Sequence, residues 1–224
     1  MTSLEDPMVC AVLERLHRNA RGDWVFFLTH LPMMISLVFG RGAASPEAEA
    51  RLLKDVYVPL SRAQGRFLYL VARSIAAKRI VEFGTSFGVS TLYGAAAARD
   101  NGGRIIGSEL EPSKHRAALG NLAEAGLSEC AEVRLGDARE TLADIPAPID
   151  LVLLDGGKEL YLPMLQMLAP KLRPGAVVLA DNIRTFRRAL APYVAYVQSG
   201  RNGFRSLTLP LKDGLEYSVR LPTT

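Results

Sequence analysis

Two apolar runs in this sequence stop on oxygen ligands. Residues 177–183 read VVLADNI and end on Asp181 and Asn182; residues 151–158 read LVLLDGGK and end on Asp155, with Lys158 three residues further on. Runs of this kind suit buried strands. Carboxylates that close two neighbouring strands can converge, and with the Asn182 amide they offer three oxygen donors and no nitrogen or sulfur. Such a set suits a hard divalent ion, magnesium or manganese, which keeps positions for water or substrate. Acids at strand ends also cap helices or face solvent, and a loop lysine is ordinarily a solvated surface charge. Beside a dication, however, a lysine is disfavoured in its charged form and can serve as a general base. Asp155, Asp181 and Asn182 are therefore read as metal ligands, and Lys158 as the candidate base.

A second group lies upstream. Residues 81–91, VEFGTSFGVST, place Glu82 before Gly84 and Gly88, with Ser90 where a helix begins. Glycines in a strand-to-helix turn let a ligand approach the backbone. Ser86 holds the second glycine position of the dinucleotide fingerprint, which argues against a pyrophosphate. An acid before the glycine suits a ligand with a cationic amino group. The next strand ends at Ser108-Glu109, where a ribose diol is gripped. A third ends at Gly136-Asp137-Ala138, a place for adenine. Each alone is an ordinary turn or strand terminus. Three successive acids on one edge of a parallel sheet point to an adenosine-containing ligand.

The elements that must position these residues alternate. Short apolar runs at 79–83, 104–109, 131–135, 149–154 and 176–180 are separated by helical patterns starting near Ser90, Pro112, Glu159 and Thr185. That order predicts a parallel sheet with helices on both faces. Residues 204–210 and 215–221, joined by Lys212-Asp213-Gly214, predict an antiparallel hairpin finishing one edge. Before the sheet, helices are expected over 4–20 on Met8, Val12, Leu13 and Leu16, from Ser45-Pro46-Glu47, and from a capping box at Ser61–Gln64.

Composition bounds the rest. The 224 residues are 49% hydrophobic and 22% charged, which fits one soluble domain. A net charge of +4 and a pI near 9.2 describe a solvated, mildly basic surface. Cys10 and Cys130 fit neither a disulfide framework nor a zinc site. The acidic start MTSLEDPM is no signal peptide, and the apolar stretch 31–39 is too short to span a bilayer. A cytoplasmic protein without membrane contact is expected. The apolar cluster of Trp24, Phe26, Phe27, Met33, Met34 and Phe39 reads as core, as a homodimer contact through residues 1–54, or as a cover over the site; His30 reads as a packed histidine.

In order and spacing, VEFGTSFGVST, the ELEP turn, GDA, LLDGGKELYLP and VLADN resemble the metal-dependent O-methyltransferases that use S-adenosylmethionine, the family of catechol, caffeoyl-coenzyme A and many small bacterial enzymes. The resemblance runs over roughly residues 55–221. It implies a Rossmann-like class I methyltransferase fold: a seven-stranded, mostly parallel sheet with an antiparallel last strand, helices on both faces, and extra N-terminal helices. The single domain would comprise a helical extension, 1–54, and a catalytic core, 55–224. The resemblance implies that Glu82 holds the methionine amino group, and that Gly84, Ser86 and Ser90 line the methionine tail. Glu109 would hold the ribose, Asp137 and Ala138 border adenine, and Leu60 make a backbone contact. Asp155 would adjoin the cofactor as well as the ion, which would be magnesium, with manganese and calcium as alternatives. The implied reaction is methyl transfer to a metal-bound hydroxyl of a small catechol-like or vicinal-diol acceptor, with Lys158 as base. Two rivals stand beside it. One is methylation of a hydroxylated tRNA base, with Arg184, Arg187, Arg188, Arg201 and Arg205 as a phosphate rim; the other is a non-catalytic cofactor-binding protein. Gly156 and Gly157 depart from the catechol enzymes, which carry ring-bearing residues there, and predict a bare wall beside the acceptor.

Overall fold

Each apolar run becomes a strand: β1 (Arg79–Phe83), β2 (Arg104–Glu109), β3 (Ala131–Leu135), β4 (Ile149–Leu154), β5 (Leu172–Ala180), β6 (Phe204–Leu209) and β7 (Leu215–Arg220). They form one sheet in the order β3-β2-β1-β4-β5-β7-β6. Strands β1 to β5 pair in parallel, and β7 runs antiparallel to both β5 and β6. The computed structural model describes residues 2–22 and 60–222. The apolar cluster of 24–39, His30 and the helix start at Ser45 lie outside the described residues.

The helices are α1 (Pro7–Gly22), α2 (Arg62–Ser74), α3 (Val89–Asn101), α4 (Pro112–Glu124), the one-turn α5 (Ala138–Thr141), α6 (Tyr161–Leu168) and α7 (Arg187–Gln198). Period-two alternation assigns them to faces. Ile80, Ile105, Leu151, Leu153, Val177 and Leu179 pack with residues of α1, α2 and α3 on one face. Val81, Val152, Leu154, Val178 and Ala180 pack with residues of α6 and α7 on the other. With both faces covered, every residue of β4 is buried, as expected for a central parallel strand.

The capping box opens α2: the Ser61 hydroxyl accepts from the Gln64 amide at 3.2 Å, and Gln64 Oε1 accepts from the Ser61 amide at 3.0 Å. Three details differ from the sequence reading. Residues 3–5 form a separate 3-10 turn before Pro7 opens α1. The buried face of α1 is Val9, Val12, Leu13 and Leu16, which leaves Met8 53% exposed, because Val9 and not Met8 holds the helical spacing. Strand β5 starts four residues early and crosses Pro174-Gly175 at a register irregularity, with Leu172 opposite Ile149. The hairpin finishes one edge of the sheet as expected, with β7 entering between β5 and β6 and β6 outermost. The buried residues of α1 pack within the chain; the rest of the segment expected to face a second copy lies outside the described residues. Among the described residues no helix is long and apolar enough to cross a membrane, and Cys10 and Cys130 are both free.

Candidate active site

All the acids singled out from the sequence come to the carboxyl edge of the sheet. Asp155 follows β4 and its amide donates to the Phe83 carbonyl at 2.8 Å; Asp181 follows β5 and its amide donates to the Leu154 carbonyl at 3.1 Å. Since Leu154 and Ala180 are paired, register alone brings the two acids side by side. Asp181 is 2% exposed. Asn182 has φ +65°, a left-handed conformation that asparagine adopts more readily than most residues. Its Nδ2 donates to Asp181 Oδ2 at 3.2 Å. Burial pushes the Asp155 carboxyl up, opposed by Lys158 and reinforced by the neighbouring Asp181 and Glu82. Burial likewise raises Asp181.

Lys158 is fixed from several sides. Its Nζ stands 3.5 Å from Asp155 Oδ1 and donates to the Tyr161 hydroxyl at 2.8 Å. It also lies over the rings of Tyr161 and Phe186, 5.0 and 5.6 Å from their centroids. Tyr161 is fully buried and donates in turn to the Asp181 carbonyl at 3.3 Å. Tyr161 and Phe186 were not singled out from the sequence. The spacing Lys158–Tyr161, one turn apart at the start of α6, was the available signal.

The adenosine end is similarly assembled. Glu82 is fully buried; its Oε2 accepts from Thr91 at 2.6 Å and Thr85 at 2.9 Å, while Oε1 has no hydrogen-bond partner. Burial raises its pKa, against the lowering influence of the Ser90, Thr91 and Thr85 hydroxyls. Gly84, at φ +94°, passes so close to β4 that a Cβ there would meet the Asp155 backbone at 2.7 Å. Ser86 is left-handed at φ +51°, and its amide donates to Glu109 Oε2 at 2.6 Å. Glu109 Oε1 accepts from the Glu111 amide at 2.9 Å, so the β2 acid is aimed by two backbone donors. Ser90 and Leu60 are buried. Asp137 behaves differently: it caps α5 and its carboxylate is taken by Arg139 through the amide and the guanidinium, which holds its pKa low. Ala138 beside it is 5% exposed.

Gly156 packs tightly on the last residue of β1: a Cβ there would lie 2.4 Å from the Phe83 ring, which is itself buried in the core. Arg184 and Arg187 line a cavity of about 640 Å³ that opens beside Ile183. Arg205 lies three ladder positions down β6 from Thr208, which pairs with Glu216 and so aligns with Ala180 at the site edge. Among the described residues no group of three His, Cys, Asp or Glu side chains converges as a metal centre; the trio here has two carboxylates and an amide.

Residues 81–183 match a family model described as a methyltransferase domain. The chain is 37% identical over 127 residues to a catechol O-methyltransferase of Mycobacterium tuberculosis, covering 56% of this chain and 57% of the relative. It is 35% identical over 130 residues to one of Niastella koreensis, covering 56% and 58%. The matches thus span under three fifths of these relatives. The fold resembles the O-methyltransferase TomG of Streptomyces achromogenes, solved with S-adenosylmethionine bound, at 28% identity and TM-score 0.69, covering 78% of this chain and 87% of that one. The matched stretch begins in the strand that carries Glu82 and ends one residue past Asn182, so the whole row of strand ends falls within the part of the chain that resembles methyltransferases.

Proposed function

We propose that the protein transfers the methyl group of S-adenosylmethionine to a hydroxyl of a small catechol-like or vicinal-diol acceptor. The observation that carries this reading is a pair of adjacent carboxylates, buried Asp181 and largely enclosed Asp155, beside a lysine held by Tyr161. Two like charges out of water are costly unless a cation offsets them. The oxygen-only donor set fits a hard divalent ion, held by Asp155, Asp181 and Asn182. Such an ion would supply positive charge that makes an acceptor hydroxyl more acidic. The methyl donor is supported by the partnerless Oε1 of Glu82, which suits an ammonium, and by Glu109, already aimed by two amides and suited to a ribose diol.

In this reading Lys158 Nζ takes the hydroxyl proton, oriented by Tyr161 and Phe186. The acceptor oxygen attacks the methyl carbon in line as the carbon–sulfur bond breaks, and its electrons stay on sulfur. The departing thioether is neutral, so no acid is needed on that side. Phe186, beside Lys158, gives the acceptor an apolar surface, and positioning contributes most of the acceleration. An acceptor screen with labelled S-adenosylmethionine, run with magnesium and with chelator, tests the proposal. Labelled product from a diol, lost in chelator, is the expected result; no product from any hydroxylated acceptor overturns it.

A further inference from the structure

The side chain of Gln64 joins two places that the reaction does not obviously connect. It stands in the first turn of α2, and its Oε1 accepts from both the Ser61 amide, at 3.0 Å, and the Ser61 hydroxyl, at 2.8 Å. A capping box needs nothing more. Here the residue is completely buried, and Nε2 donates to Asp181 Oδ1 at 2.5 Å across 117 residues of sequence. A glutamate at this position would still complete the cap, but it would set a third acid against Asp181 and Asp155. An aliphatic side chain would leave a buried carboxylate oxygen without its donor. An amide accepts from the helix start and donates to the acid at once, without a titratable proton.

With Asn182 Nδ2 on the other oxygen, both oxygens of Asp181 are held and the plane of the carboxylate is fixed. We propose that Gln64 is a positioning residue for Asp181, orienting it for a divalent cation and locking the start of α2, with Leu60, to that ligand; this rests on the reading of Asp181 as a cation ligand. Groups that hydrogen-bond a metal ligand typically change metal affinity by roughly 10–100-fold when removed.

The test is manganese binding to the full chain, followed by electron paramagnetic resonance without methyl donor or acceptor. Gln64→Met keeps the volume and removes both amide functions; a weakening of roughly 10–100-fold is expected. Ser61→Ala removes the cap hydroxyl but keeps the amide that holds Gln64 Oε1; it is expected to lower the melting temperature and leave manganese affinity within about twofold, since the Asp181 contact survives. If Gln64→Met does not fold, Gln64→Asn, an amide one methylene short of Asp181, carries the same expectation of weakened binding. Should Asp181→Ala lose the ion while the Gln64 variant keeps wild-type affinity, the positioning role is overturned and the ligand reading stands. Should Asp181→Ala bind manganese as tightly as wild type, the ligand reading itself fails and the positioning role falls with it.

Discussion

Strand β4 carries an aspartate at each end, and the two live in opposite circumstances. Asp150, near its start, accepts from the Lys78 amide at 2.9 Å, the Arg79 amide at 2.8 Å and Arg173 Nε at 2.5 Å. Burial works to raise its pKa, but Arg173 and the two amides outweigh it and hold the carboxyl low. Asp155, just past the other end, has one cation at 3.5 Å and faces two further acids, and its carboxyl is raised. Both are aspartates flanking the same buried run. What separates a structural acid from a functional one is the completeness of its partners, and an acid left short of donors marks the end where a ligand belongs.

The contrast can be broken by substitution. At the functional end, Asp181→Ala is expected to lower magnesium-dependent turnover on the order of 100-fold or more, with the far-ultraviolet circular dichroism spectrum unchanged; wild-type turnover of this variant in chelator would sink the metal mechanism. At the structural end, Asp150→Asn should destabilise the fold by about 1–3 kcal/mol, read as a drop in melting temperature. The Asp150 pKa is lower folded than unfolded, so its contribution is present above the unfolded value and lost as pH falls through the folded one. The deficit of Asp150→Asn should therefore shrink in acid. Asp155→Asn, measured in chelator at neutral pH, should show no such deficit, because a raised carboxyl gives no stability there to lose; equal losses in the two variants would erase the distinction. The smallest effects concern the adenosine end. Glu109→Ala should weaken S-adenosylhomocysteine binding by about 1–3 kcal/mol, and Asp137→Ala by less than about 1 kcal/mol, because Arg139 already occupies that carboxylate. Calorimetry giving the reverse order would exchange their roles.

The strands, their alternation with helices and the acids at their ends were legible because hydrophobic period and residue type are local properties. The register that sets Asp155 beside Asp181 could be anticipated from topology for the same reason. Partner choice was not legible. Nothing in RAQG announces that Gln64 reaches a strand end 117 residues away, since a capping box accounts fully for its presence. Asp137 and Glu109 look alike in sequence, yet one is taken by Arg139 and the other is aimed by backbone amides. The tight packing of Gly156 on Phe83, a residue of a different strand, was likewise not legible. Met8 was misplaced by one helical position, which the pattern of a short helix does not resolve.

The strand order carries a consequence for how the protein is made. Because β7 lies between β5 and β6 yet follows both in the chain, β6 leaves the ribosome with its eventual neighbour not yet synthesised. Until residues 215–220 arrive, the free side of β5, the strand whose end becomes Asp181, is an unpaired parallel-sheet edge, the kind of surface that recruits other nascent chains. A message that stops between β6 and β7 would thus yield a product with every ligand and the base encoded, and still exposed to aggregation along the very strand that carries the site.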